Sequence, residues 1–174
     1  MLLGIILIIA ASTLAIGTVA FIQNTQAKPN RWLLAHSVAV AAWISTNYFS
    51  NSVEMNHTTL LLLNKLVLLF GALVSFTLNI VIDSIAPYKK VSKWRRFFFW
   101  LMLALGLTSL TPLVVSNIAP KDGLVAIEFG SLAVLYFASL VYFVLRSFIV
   151  VWKAIKRSKG IHKARLQVIS IGVY

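Results

Sequence analysis

The chain lacks cysteine and contains few charged residues of either sign. Its 174 residues include no Cys and only four Asp and Glu, and all charged residues together make up 11% of the chain. The lack of Cys excludes thiol catalysis, cysteine-ligated zinc clusters and iron–sulfur clusters. Hydrophobic residues make up 60% of the chain and the mean hydropathy is +0.90. A soluble domain has about 25% charged residues, so this composition excludes a soluble globular domain. The high hydrophobic fraction and the lack of Cys also exclude a disordered tail and a disulfide scaffold. It predicts an integral membrane protein.

The charge that remains is mostly positive. Sixteen Lys and Arg stand against four Asp and Glu, which gives a net charge of +12. In a soluble protein such an excess would indicate nucleic-acid binding. In a membrane protein, however, basic residues collect in the cytoplasmic loops and keep them there. We therefore expect the lipid bilayer, and no nucleic acid, as a partner.

Five apolar runs are long enough to cross a membrane. A hydrocarbon core about 30 Å thick requires about 20 helical residues. The predicted fold class is an all-α transmembrane bundle that forms a single domain over residues 1–174. A partial sixth span begins at Leu166, so we expect the chain to be cut within it. We interpret the first run as a retained helix, because it is too long for a signal peptide and no cation precedes it. The five runs cover residues 2–23, 32–49, 59–83, 97–117 and 124–152.

The loops between these runs predict the orientation. Alternate loops hold 13 Lys and Arg on one side and one on the other. This asymmetry predicts an N-terminus outside the cell and a multi-pass protein of the plasma (inner) membrane. The cations that carry the prediction are Lys89, Lys90, Arg95 and Arg96 before the fourth helix, and Lys153, Lys156 and Arg157 after the fifth.

Polar residues cluster on one face of several predicted helices. On the third helix they fall within an arc of about 120°, and on the fifth within about 80°. Two interpretations stay open: a packing seam of small and polar residues, or a polar core with a sensing or binding role. The candidate core residues are Lys65, Asn79, Asp83, Glu128, Ser139, Tyr142 and Arg146, with His36 and Asn47 from the second helix.

The depths of four charged residues suggest two ion pairs. Lys65 and Glu128 lie near the outer ends of the third and fifth predicted helices, and Asp83 and Arg146 near their inner ends. A contact between the helices would pair them at both levels. Each long side chain could instead extend to its nearer membrane surface. On the fourth helix, Pro112 predicts a kink.

The sequence shows no catalytic or metal-binding pattern. His36, His57 and His162 lie in separate segments, with no carboxylate or thiol at ligand spacing. There is no glycine-rich phosphate loop, nucleophile elbow or catalytic carboxylate pair. We therefore expect no enzyme activity, no metal and no cofactor in these residues.

Two stretches resemble a known family. The first is residues 29–33 (PNRWL), followed within the next helix by Trp43 and Ile44. The second is residues 160–167 (GIHKARLQ), followed by Gly172. Together with the helix spacing, they resemble the N-terminal seven-helix membrane region of prokaryotic sensor histidine kinases. This chain ends within the sixth helix of that pattern.

The resemblance implies a sensory input module without catalytic activity of its own. A kinase core or other signalling domain would follow beyond Tyr174, and seven helices from an outside N-terminus would deliver it to the cytoplasm. A second copy of the chain is an expected partner, and the cations of residues 153–165 would attract anionic lipid headgroups. Two alternatives stay open. One is a small carrier or channel in which Lys65, Asn79, Asp83 and Glu128 line a pathway; the other is a structural membrane protein that binds partners through its seams.

Overall fold

A computed structural model describes residues 2–51, 56–85, 93–121 and 124–157. The described part is mostly helical, with one two-stranded antiparallel sheet. The elements in chain order are α1 (Leu2–Gln23), α2 (Lys28–Phe49), α3 (His57–Ile85), α4 (Lys93–Thr108), β1 (Val115–Lys121), β2 (Leu124–Phe129) and α5 (Ala133–Arg157).

Three of these helices are long and apolar enough to cross a membrane: α1, α3 and α5. The membrane class predicted from composition is thus supported, but five full spans are not. α2 has 22 residues, but Lys28, Asn30 and Arg31 in its first turn lower its hydropathy. α4 has 16 residues, or about 24 Å, which is shorter than the hydrocarbon core.

A β-hairpin replaces parts of two predicted helices, so the predicted bounds 97–117 and 124–152 were wrong. α4 ends at Thr108, and β1 pairs with β2 before α5 begins at Ala133. Pro112 follows α4 in a turn, so it does not kink the helix. The hairpin is rich in β-branched residues, which favour strands, and short apolar runs do not distinguish a strand from a buried helix.

Large apolar side chains form much of the exposed surface of the described residues, and several polar groups are buried among the apolar residues of the interior. On α5, Val134 is 81% exposed, whereas Ser147 is fully buried. On α3, Asn64, Ser75 and Asn79 are all buried. This arrangement is favourable in lipid, where apolar side chains need no cover and polar groups need partners within the protein.

α3 lies at the centre of the described bundle, in contact with α2, α4, α5 and β1. Its N-terminal end packs through Leu60 against β1, and its C-terminal end packs through Ile82 against Val150 and Val151 of α5. Contacts with α5 advance in the same direction along both helices, from Leu68 with Tyr136 to Ile82 with Val150. The two helices therefore run parallel.

α1 packs on α2 through small residues spaced three to four positions apart. Ala10 and Gly17 are its buried positions, and Thr13 and Ala20 between and beyond them are partly buried. A β-carbon built on Gly17 would lie 2.7 Å from the β-carbon of Ser37 on α2. Small residues at such spacing let two membrane helices approach closely.

We expect Gly17→Ala to destabilise the α1–α2 contact by about 1–3 kcal/mol, because the added methyl overlaps Ser37 and the backbone of Leu34. Unfolding of the purified protein by sodium dodecyl sulfate, followed by circular dichroism, measures the change. Gly4→Ala is the matched control: nothing lies within 4 Å of its added methyl, so the higher helix propensity of Ala should leave stability equal or raised. Equal effects at both glycines would contradict the close approach.

Candidate functional site

Arg146 of α5 joins three helices in the interior of the bundle. Its Nη2 donates to Asp83 of α3, at 3.1 Å to Oδ1 and 3.3 Å to Oδ2. Its Nη1 donates to the Oδ1 atom of Asn79, also on α3. The guanidinium carbon lies 5.6 Å from the ring centre of Phe99 on α4, within the range of a cation–π contact. We call Arg146, Asp83, Asn79 and Phe99 the arginine cluster.

The arginine cluster is shielded from the surroundings. The side chain of Arg146 is 16% exposed and that of Asp83 is 7% exposed, while Asn79 is 1% exposed. The Asn79 amide nitrogen donates to the carbonyl of Ser75 at 2.9 Å and to that of Phe143 on α5 at 3.4 Å. Every polar group of Asn79 that faces α5 therefore has a partner, as burial demands.

The ion pair between Asp83 and Arg146 is the inner contact that the sequence predicted. The position of Arg146 differs from the expectation, however, because α5 begins and ends later than predicted. Arg146 lies 13 residues after Ala133 and 11 before Arg157, near the middle of α5. Its side chain thus reaches from the middle of α5 toward the last turn of α3, where Asp83 lies two residues before Ile85.

The predicted outer pair does not form in the described part of the chain. Glu128 lies on β2, not on a helix, and is exposed; its backbone carbonyl accepts a hydrogen bond from Ser116 on the paired strand. Lys65 is half-buried on α3, and its carbonyl accepts a hydrogen bond from Ser109. The hairpin carries Glu128 away from the helix face on which the pair was predicted.

A second contact between α3 and α5 was not predicted from the sequence. Tyr136 is fully buried, and its hydroxyl donates to the carbonyl of Leu68. A β-carbon on Gly71 would lie 3.6 Å from both the Tyr136 hydroxyl and the indole nitrogen of Trp43, so α2, α3 and α5 meet at this glycine. The helical spacing of Tyr136 from Ser139 and Phe143 could have indicated its inward position.

His36 reaches α3 on the side away from α5. Its Nδ1 lies 3.0 Å from the hydroxyl oxygen of Thr77, and that hydroxyl donates to the carbonyl of Leu73 at 2.7 Å. Thr77 is buried and faces α2.

The other candidate core residues are more peripheral. Ser139 is half-buried and donates to the carbonyl of Tyr136 at 2.7 Å. Tyr142 is 43% exposed, and Asn47 is exposed on α2. Neither of these two residues belongs to the arginine cluster. The buried polar core therefore contains fewer residues than the predicted set.

His57 fixes the hairpin to the first turn of α3. Its Nε2 lies 3.0 Å from Asn117 Oδ1 and 3.2 Å from the carbonyl oxygen of Ile118. Both partners accept, so Nε2 donates. With Leu60, Val115 and Ile118 packed beside it, this contact closes the bundle at the end opposite the arginine cluster.

The structure describes the side chains of only some of the cations that predict the orientation. Lys89 and Lys90 lie outside the described residues, as do the second resembling stretch and the start of the sixth span at Leu166. Arg95 and Arg96 belong to α4 and Arg157 ends α5, but their side chains are not described. Lys153 is exposed, and the ammonium of Lys156 lies 3.7 Å from the ring centre of Trp152.

The arginine cluster can fix the relative position of three helices, because the guanidinium on α5 has two hydrogen-bonding partners on α3 and one aromatic partner on α4. Removing one partner of a buried ion pair is costly, since it leaves an uncompensated charge. Among residues 2–51, 56–85, 93–121 and 124–157, no group of three or more His, Cys, Asp or Glu could hold a metal. In comparisons with known proteins, no family model, no curated protein and no solved structure matches this chain.

Proposed function

We propose that the chain is a membrane-embedded signal-input module, of the kind found at the N-terminus of two-component histidine kinases, which relays a stimulus to a cytoplasmic output domain. The observation that carries the proposal is the arginine cluster: one buried guanidinium holds α3, α4 and α5 together. Ionisable residues within a membrane bundle are costly and are therefore usually functional.

The proposal includes five spans with the N-terminus outside. α2 contacts both α1 and α3, and α4 contacts both α3 and α5. A helix that packs alongside spanning helices shares their depth, and the 22 residues of α2 extend about 33 Å. The parallel course of α3 and α5 agrees with this topology, because both would run from the outer to the inner face.

A relay needs an element with two arrangements that a stimulus can bias. We propose Arg146 as this element, because its guanidinium bonds to two acceptors, the Asn79 amide oxygen and the Asp83 carboxylate, and could favour either one. A shift of α5 relative to α3 would change how the guanidinium divides its hydrogen bonds between them. Since α5 leads directly into the basic segment after Arg157, such a shift would pass to whatever follows.

The carrier or channel alternative is less well supported. A pathway would need Lys65 and Glu128 to continue the polar residues toward the outer face. In the described part of the chain these two residues form no ion pair, and the Glu128 side chain is exposed on the hairpin. The polar groups at the inner end bond to one another, which favours a structural coupling over a conducting path.

The orientation is testable because the chain has no natural cysteine. Asn51→Cys and Gln26→Cys introduce exposed thiols at opposite ends of α2. We expect a membrane-impermeant maleimide to label position 51 in intact cells, and position 26 only after the membrane is permeabilised. The reverse pattern would overturn the orientation, and labelling of both positions in intact cells would overturn the crossing by α2.

The relay is tested by distance measurements on the same cysteine-free background. Spin labels at Gln26→Cys and Lys153→Cys report the separation of the inner ends of α2 and α5. We expect two distance populations, whose ratio changes when Arg146→Gln weakens the arginine cluster. The control pair, Asn51→Cys with Ser131→Cys, reports the outer ends and should keep one distance. A single unchanged inner distance would contradict the relay.

The gene gives an independent test of the output domain. The reading frame is expected to continue past the codon for Tyr174 into a seventh apolar run and a cytoplasmic signalling domain. A stop codon at that position would contradict the likeness to the kinase sensory region, and it would favour a structural role for the bundle.

A further inference from the structure

We propose that Lys28, Arg31 and Trp32 form a binding site for the phosphate headgroup of an anionic phospholipid at the inner end of α2. With Ala35 they line a cavity of about 520 Å³. The four residues follow the spacing i, i+3, i+4 and i+7, so they lie on one face of the helix. The inference rests on the proposed orientation, which places this end of α2 at the cytoplasmic leaflet.

The backbone that carries the two cations is held in place. Asn24 Oδ1 accepts hydrogen bonds from the backbone N–H groups of Gln26 and Ala27 at 3.1 and 3.0 Å. The side-chain nitrogen of Asn30 donates to the carbonyls of Ala20 at 2.6 Å and Asn24 at 3.3 Å. These bonds cap the end of α1 and fix the start of α2, so a ligand would meet a preformed backbone and little ordering would oppose binding.

The two cations that line the cavity favour an anionic ligand. Within the described residues, neither Lys28 nor Arg31 forms an ion pair. Of the two acidic residues that the structure describes, Asp83 is held by Arg146 and Glu128 lies on the hairpin at the other end of the bundle. The planar guanidinium of an arginine can donate two parallel hydrogen bonds to a phosphate, and a lysine adds a point charge.

The remaining wall of the cavity favours a lipid over a free anion. Trp32 and Ala35 follow the cations along α2 toward the middle of the helix. Tryptophan is enriched at the membrane–water interface, where its ring lies at the headgroup level. A phospholipid could place its phosphate on the cations and its acyl chains along the apolar continuation of the face, whereas a free phosphate would use the cations alone.

Native mass spectrometry of the purified chain with added phosphatidylglycerol or phosphatidylcholine tests the site. We expect the protein to retain phosphatidylglycerol, and the double variant Lys28→Gln, Arg31→Gln to bind it about 10- to 30-fold more weakly, as expected for two headgroup contacts. The comparison is Lys153→Gln, Lys156→Gln, which removes the same charge from the segment expected to attract headgroups only diffusely, so retention should fall by less than about threefold.

Equal losses in the two double variants would show diffuse attraction by the whole basic face and would overturn the site. Competition by millimolar inorganic phosphate as strong as that by phosphatidylglycerol would identify a free-anion site and overturn the lipid assignment. Arg31→Lys keeps the charge but removes the paired hydrogen bonds, so it should give an intermediate loss even if the double variant fails to fold. Binding in detergent does not depend on orientation, so failure here is distinct from failure of the cysteine-labelling test.

Discussion

Replacing Asp83 with Leu is expected to lower the free energy of unfolding by about 3 kcal/mol or more, because it leaves the Arg146 guanidinium in the bundle interior without its carboxylate. Asp83 is 7% exposed and Arg146 is 16% exposed, so solvent cannot replace the lost partner. Asn79 would remain as a neutral acceptor, which recovers only part of the lost interaction. Unfolding in mixed micelles with sodium dodecyl sulfate, followed by circular dichroism, gives the change.

A second substitution separates the ion pair from the packing around it. Adding Arg146→Met to Asp83→Leu removes both charges and keeps apolar volume, so we expect most of the lost stability to return. Lys153→Met is the control: it removes a cation from the same helix at an exposed position and should change stability by less than about 0.5 kcal/mol. A double variant as unstable as Asp83→Leu alone would show that packing, not charge pairing, sets the effect.

Gly130→Val is expected to lower the free energy of unfolding by about 3 kcal/mol, because it disrupts the junction between the turn after α4 and the start of α5. A β-carbon at this position would overlap the backbone carbonyls of Pro112 and Leu113. The Gly130 N–H donates to Val114 O at 3.0 Å and the Leu132 N–H to Leu113 O at 2.7 Å, so these backbones cannot separate without breaking the junction. Overlap with backbone cannot be relieved by a change of rotamer, and overpacking is destabilising.

Ser131→Val provides the comparison for Gly130→Val. It adds a β-branched side chain at the next residue, which is exposed, so stability should change by less than about 0.5 kcal/mol. Thermal unfolding of the two variants in the same detergent measures the difference. Similar melting temperatures for both would contradict the close approach at Gly130.

The membrane class and the inner ion pair could be predicted because both follow from features that a sequence displays. Composition excludes a water-facing surface, and α1 begins and ends at the predicted residues, 2 and 23. Asp83 and Arg146 lie on the polar faces of two helices, so a helix contact brings them together. In the structure, Arg146 Nη2 lies 3.1 Å from Asp83 Oδ1.

The hairpin could not be predicted because its cause lies in contacts distant along the chain. Residues 115–117 and 124–129 are apolar enough to extend the two neighbouring helices, and hydropathy alone does not separate a strand from a helix. What stabilises the strands is their own pairing and the packing of Val115 and Ile118 on Leu60. The hydrogen bond of Tyr136 was not predicted for a related reason. Its hydroxyl donates to the backbone carbonyl of Leu68, and because every residue has a carbonyl, the pattern of side chains does not indicate which one is the partner.

The hairpin anchors the N-terminal end of α5. There, Leu132 and Gly130 are bonded to the turn after α4, and His57 holds the hairpin to α3. Because this end is anchored, we expect α5 to tilt about it rather than to slide along α3. A tilt of about 5° over its 25 residues would move the far end by about 3 Å. The displacement would thus be largest at the C-terminal end of α5.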